Sequence, residues 1–109
     1  MKIDFEKLLV DLQKAHIAAK EAAKSGNDGG TANLDSLALR LPRARETKVL
    51  EVIRDADLYC RHKSNWLGPC YFISHGCGGQ GDRNTRAVEA MKKSLTTDGW
   101  DVMIYYQMD

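Results

Sequence analysis

No stretch of this chain is apolar for long enough to span a membrane, and Met1 opens on mixed charged and apolar residues instead of a basic segment followed by an apolar run. A membrane-spanning helix is therefore excluded, no secretory signal is expected, and the expected location is the cytoplasm. Cysteine is scarce: there are three, an odd number with no C-x-x-C pair, which argues against a disulfide scaffold. In a reducing compartment they read most simply as small buried hydrophobes. Charge of one sign is also missing. Sixteen basic and fifteen acidic residues leave a formal net charge of +1, so nothing draws polymeric nucleic acid or an anionic membrane to the surface as a whole. Any anion site has to be local. There is no repeat and no low-complexity linker, and 109 residues make one domain, 1–109, too short for a complete two-half Rossmann fold.

What is present is patterned. Residues 3–24 place Phe5, Leu8, Leu9, Leu12, Ala15, Ile17, Ala19 and Ala22 near one helical stripe, which predicts an amphipathic helix stopped by Ser25-Gly26. A glycine-rich loop follows. In "LDSLALRL", Leu37, Leu39 and Leu41 alternate against Ala38 and Arg40 as in a half-buried strand, closed by Pro42. Residues 43–56 repeat the helical pattern through Ala44, Val49, Leu50, Val52, Ile53 and Ala56. "DLYCRHK" and then Cys70 to His75 read as strands. A third helix, capped by Asp82 or Asn84, carries Ala87, Val88, Met91 and Leu95 inward and ends at Gly99 before a last strand, "WDVMIYYQM". The expected fold is α/β, bordering on α+β. It has a small mixed sheet of about four strands, three helices packed mainly on one face, and the order α-β-α-β-β-α-β. The last strand-helix-strand unit is expected to be a parallel crossover.

The glycine loop, "SHGCGGQGDRNTRA", is the segment richest in binding chemistry. Gly76, Gly78 and Gly81 fit G-x-G-x-x-G between a strand and a helix, where unpaired N–H groups and the helix dipole favour an anion. Gly78 and Gly79 permit close approach, while Gln80, Arg83, Asn84 and Arg86 supply donors for phosphates and ribose hydroxyls. The plainer reading is a glycine turn with solvated arginines. A Walker loop is not satisfied, because Asp82 and Arg83 stand where a lysine and a hydroxyl are needed. Neither is the Rossmann fingerprint, whose acid at the end of the next strand has only Asp109 to offer. Arg40, Arg43 and Arg45 surround the entrance to the second helix and can meet an anion or stay in solvent. Trp66, Tyr71, Phe72, Trp100, Tyr105 and Tyr106 gather in the second half, any of them able to stack on a base, most of them expected in the core.

Cys60-x-His62 and His75-x-Cys77 are the one constellation with metal-ligand chemistry, since residues two apart share a strand face. Their spacing is no compact zinc signature, and neither a resident metal nor a cofactor is expected. A Cys/His nucleophile lacks a recognisable orienting group or oxyanion element. A small cytosolic metal-binding or structural interaction module built on these four residues is the alternative to a nucleotide site. The alanines of the first helix, Ala15, Ala18, Ala19, Ala22 and Ala23, form a close-packing face expected to serve oligomerisation, at least as a homodimer.

The segments "NDGGTANLDS", "LPRARE", "YFISHGCGGQGDRNTRA" and "YYQMD", in this order, resemble the first Thoeris anti-defence family of phage proteins over roughly residues 25–109. The resemblance implies a protein that is not an enzyme. Such proteins are sponges that sequester the cyclic ADP-ribose isomers made by bacterial TIR-domain sensors, assemble as homodimers and often hexamers, and in some cases bind cyclic oligonucleotides at separate sites. By the same resemblance Phe72 stacks on a base, and Arg83, Asn84 and Arg86 contact pyrophosphate and riboses. Arg43 or Arg45 completes the pocket from a neighbouring element or subunit, and Lys20 and Lys24 are candidates for a second anion site.

Overall fold

A computed structural model describes residues 3–24, 36–64, 69–74 and 82–105, the side chains of Asp82 and Arg83 excepted. The first helix, α1 (Phe5–Lys24), follows Asp4, whose Oδ1 accepts the Lys7 N–H at 3.1 Å. It buries Leu8, Leu12, Ala15, Ala19 and Ala23, the i, i+4 stripe that its periodicity predicts. Ile17 departs from the expectation. It lies on the opposite side of the helix from Leu12 and Ala19 and is 58% exposed.

The other elements are β1 (Ser36–Leu39), α2 (Glu46–Asp55), β2 (Lys63–Ser64), β3 (Cys70–Ile73), α3 (Asp82–Thr97) and β4 (Val102–Tyr105). Their types and order are those expected. The strand predicted across "DLYCRHK" is reduced to an isolated bridge between Tyr59 and Ser74, with β2 beginning only at Lys63. The pairing also differs from a mixed sheet. Strand order is β2-β3-β1-β4, and each neighbouring pair is antiparallel. β3 and β4 do run parallel, as the crossover through α3 requires, but β1 lies between them and is antiparallel to both.

Alternation along the strands sends Leu37, Leu39, Tyr71 and Ile73 into one core with α1, α2 and α3, joined by Val102 and Ile104 at its margin. All three helices thus cover the same face. α1 packs antiparallel to α3 on one side and meets α2 on the other, where buried His16 donates through Nδ1 to the Ala56 carbonyl at 3.1 Å. The alanine face is consumed here: Ala15 and Ala19 are fully buried in the chain's own core, beside Ala87, Val88, Met91 and Leu95 of α3. Ala18 and Ala22, on the margin of that face, are half-buried.

Both long-range helix stops use the same device. α3 ends with Gly99 at φ 94°, its N–H on the Thr96 carbonyl and the Trp100 N–H on Leu95. α2 ends with Asp57 at φ 63°, its N–H on Arg54 and the Leu58 N–H on Ile53. These are paired 6→1 and 5→2 closures, and the left-handed residue in them is normally glycine.

Candidate functional site

Register fixes which ends of the elements meet. Ser36 lies opposite Tyr105 and Leu37 opposite Ile73, so β1 begins where β3 and β4 finish. The 75–81 segment leaves β3 at this end and enters α3. α1 finishes here too, because the Arg86 Nε–H donates to the Ala22 carbonyl at 3.1 Å. We call this the upper end of the molecule. On its helix side lie Asn84, Arg86 and the last turns of α1 with Lys20 and Lys24, while Phe72 of β3 faces the other side of the sheet. Gly78, Gly79 and Gln80, and the side chain of Arg83, lie outside the described residues.

Phe72 faces away from the helices. Strand alternation places it with Ser36, Ala38, Cys70, Met103 and Tyr105 on the helix-free face. Its ring meets Tyr105 diagonally across β1 in an edge-to-face contact, with centroids 6.5 Å apart and planes at 74°. Both rings are half-buried, each presenting part of its surface. An aromatic pair of this kind on a sheet face is a surface on which a planar base can stack. Tyr105 was one of six aromatics that could stack on a base, most of them expected in the core; its alternation with Ile104 is the signal that places it on this face. At the lower margin of the same face, the Arg40 guanidinium rests on the Met103 sulfur at 3.4 Å and approaches Asp101 at 3.7 Å.

Arg86 is not the exposed helix-start residue that the sequence suggests. It is half-buried, one turn into α3, with its Nε–H spent on the last turn of α1. It therefore has a structural duty besides any contact with a ligand. Arg43 and Arg45 are exposed and stand at the other end of the sheet, after Leu39, which pairs with Val102. Within one chain they do not share a pocket with Asn84 and Arg86. Lys20 and Lys24 are exposed on α1 and enter no ion pair among the described residues.

The cysteine and histidine constellation is half visible. His75 and Cys77 lie outside the described residues, and no group of three metal-ligating side chains forms among those described. The Cys60 thiol donates to the His62 carbonyl at 3.6 Å, and burial pushes its pKa up to about 11. Burial also raises the Cys70 thiol, with Arg40 pulling the other way. Both thiols stay protonated near neutral pH, which suits neither a nucleophile nor a ready thiolate ligand. His62 is exposed and donates through Nδ1 to the Lys63 carbonyl at 2.9 Å. Tyr71, fully buried, has a hydroxyl with no hydrogen-bond partner, and its pKa is raised by burial and then by Glu46 and Cys60.

At the lower end sequence reasoning singled out Arg40, Arg43 and Arg45 but not the polar cluster between α1 and α3. There the buried Asp11 carboxylate accepts from Lys7 Nζ at 2.6 Å and from the Trp100 indole N–H at 2.8 Å, while Lys14 pairs with Asp98 at 3.1 Å. Asp11 and His16 fall on the apolar stripe, at i+3 from Leu8 and i+4 from Leu12. A polar residue at such a position needs a buried partner, and that was the readable sign. Compared with protein-family models, with characterised proteins and with solved structures, the chain matches none.

Proposed function

We propose that this protein is a non-catalytic binder that captures cyclic ADP-ribose isomers and withholds them from a host TIR-based defence, acting in the host cytoplasm as a homo-oligomer. The family resemblance motivates the ligand class. The observation that carries the reading is the half-exposed Phe72–Tyr105 pair at the end of the sheet where residues 75–81 connect β3 to α3. A cyclic ADP-ribose isomer presents a planar base and a pyrophosphate. The aromatic pair suits the first, and the start of α3 with Asn84 and Arg86, on the other side of the sheet at the same end, offers donors for the second. Sequestration asks for tight binding without turnover, so it needs stacking and donors but no positioned base or thiolate. The protonated state of Cys60 and Cys70 is compatible with that and gives the metal-module alternative less support.

Incubation with a cyclic ADP-ribose isomer, removal of the protein by filtration, and heating of the retained fraction test the proposal directly. The ligand should vanish from the filtrate and reappear intact on heating. Phe72→Ala should weaken binding by roughly 5- to 150-fold, since stacking on one base contributes about 1–3 kcal/mol. Phe72→Tyr should retain it, and Arg54→Ala on the exposed side of α2 should behave as the parent protein. Equal affinities in Phe72→Ala and Arg54→Ala would remove the sheet-face site, and recovery of a chemically altered nucleotide would make the protein an enzyme.

A further inference from the structure

Among the described residues, β4 is an edge strand of the sheet. Its four residues, Val102 to Tyr105, are all half-exposed and include neither a charge nor a proline. Natural sheets blunt such edges with lysine, proline, a bulge or a covering element, because an uncharged apolar edge is a template for another strand. α3 packs over β4 and β1, and its outer flank forms with the edge a groove of about 420 Å³ lined by Glu89, Lys92, Lys93, Thr96, Thr97 and Ile104.

The flank has an internal symmetry. Thr85, Glu89, Lys92 and Thr96 follow one another at spacings of four, three and four residues, so they form a single stripe along α3. Its acid and its base stand at equal distances from the middle. Turned end for end, the stripe sets Glu89 against Lys92 and Thr85 against Thr96. Neither Glu89 nor Lys92 enters an ion pair among the described residues.

We infer that a second copy of this chain docks here, β4 against β4 in antiparallel register, to give a continuous eight-stranded sheet with two-fold symmetry. Paired strands lie about 4.7–4.9 Å apart. Helices resting on the two edge strands then come within ordinary helix-packing distance, roughly 8–10 Å. The symmetry axis crosses the flank between Glu89 and Lys92, so each Glu89 meets Lys92 of the other copy, twice per dimer. Charge decides against another exposed apolar feature, Val10 and Ile17 on the outer face of α1, 53% and 58% exposed. An antiparallel α1 pair that set Val10 against Ile17 would also set Glu6 against Glu21, a like-charge contact.

Light scattering and sedimentation of the full chain over the micromolar range test the inference independently of any nucleotide. The parent protein should dimerise. Glu89→Lys alone and Lys92→Glu alone should each weaken the dimer by about tenfold or more, because each makes two like-charge contacts. An equimolar mixture of the two variants should form heterodimers, and the double variant should regain the homodimer, since both restore opposite charges across the axis. Both positions are on the helix surface, so thermal melts of the variants should match the parent and report intact folding. A monomeric parent, which would leave the edge to some other strand, overturns the proposal. So does a dimer indifferent to the single reversals.

Discussion

The two ends of the α1–α3 helix pair are joined in different ways. At the lower end each charged group near the junction has a partner: Lys7 and Trp100 on Asp11, Lys14 on Asp98, and Lys7 also on the Asp98 carbonyl and 5.0 Å from the Trp100 ring centre. At the upper end the Arg86 Nε–H donates to the Ala22 carbonyl, and Lys20 and Lys24 stand exposed with no ion pair among the described residues. Polar groups that satisfy one another fix geometry. Donors left facing solvent at a helix terminus are those a ligand can use. The contrast explains why the lower end, although more crowded with charge, is the poorer candidate for binding.

The sharpest way to break this contrast is Asp11→Asn. It removes the charge that Lys7 and Trp100 both address, in a side chain that is nearly buried, and should cost about 2 kcal/mol in denaturant melts. The pH dependence should show the same site. Burial raises the Asp11 carboxyl, but the hydrogen bonds from Lys7 and Trp100, with the charges of Lys7 and Lys14, more than reverse it, so the folded-state pKa lies below the ordinary value of 3.8. Its contribution to stability is then complete above roughly pH 5 and is lost as the pH falls through the folded value. Asp11→Asn should flatten that acid limb; an unchanged limb would mean that the clasp is incidental.

Arg86→Ala tests the upper end, with an expected loss of about 1.5 kcal/mol, since a charge-assisted donor to the last turn of α1 disappears. Ligand titration has to be done well below the melting temperature of this variant, because binding and folding share the residue. A melt identical to the parent's would assign Arg86 to the ligand alone. The smallest effects are the left-handed helix stops. Gly99→Ala at the lower end should destabilise by about 1 kcal/mol, and Asp57→Gly at the upper end should stabilise by somewhat less, about 0.5 kcal/mol, because the same backbone conformation is strained only where a side chain is present. Differential scanning of the two variants together resolves the opposite signs.

Much of the architecture was legible because burial repeats at the period of each element. Ala87, Val88, Met91 and Leu95 were expected inward and are all buried, and Gly99 was expected to close their helix and does. Partners between strands were not legible. A period of two says which face a residue takes, but not which strand lies beside it, so β1 between β3 and β4 could not be foreseen. For the same reason the sequence does not show that, within one chain, Arg43 and Arg45 stand at the opposite end of the sheet from Asn84 and Arg86. Phe72 kept its candidacy and gained a neighbour, Tyr105, that only the register reveals. Ile17 failed because an apolar residue loosely near a stripe was counted as part of it.

The central position of β1 bears on how the chain acquires its structure during synthesis. β1 takes its two neighbours from β3 and β4, and α1 takes its main packing partner from α3, so elements made first wait for elements made last. Contacts this distant in sequence carry a large loop-closure cost and form slowly. A nascent chain paused after α2 holds two amphipathic helices and one unpaired strand, a species that a ribosome-bound chaperone would recognise. Expressed as two separate polypeptides divided between α2 and β2, neither piece should be able to bury its apolar side chains alone, and the pair should become soluble only when made in the same cell.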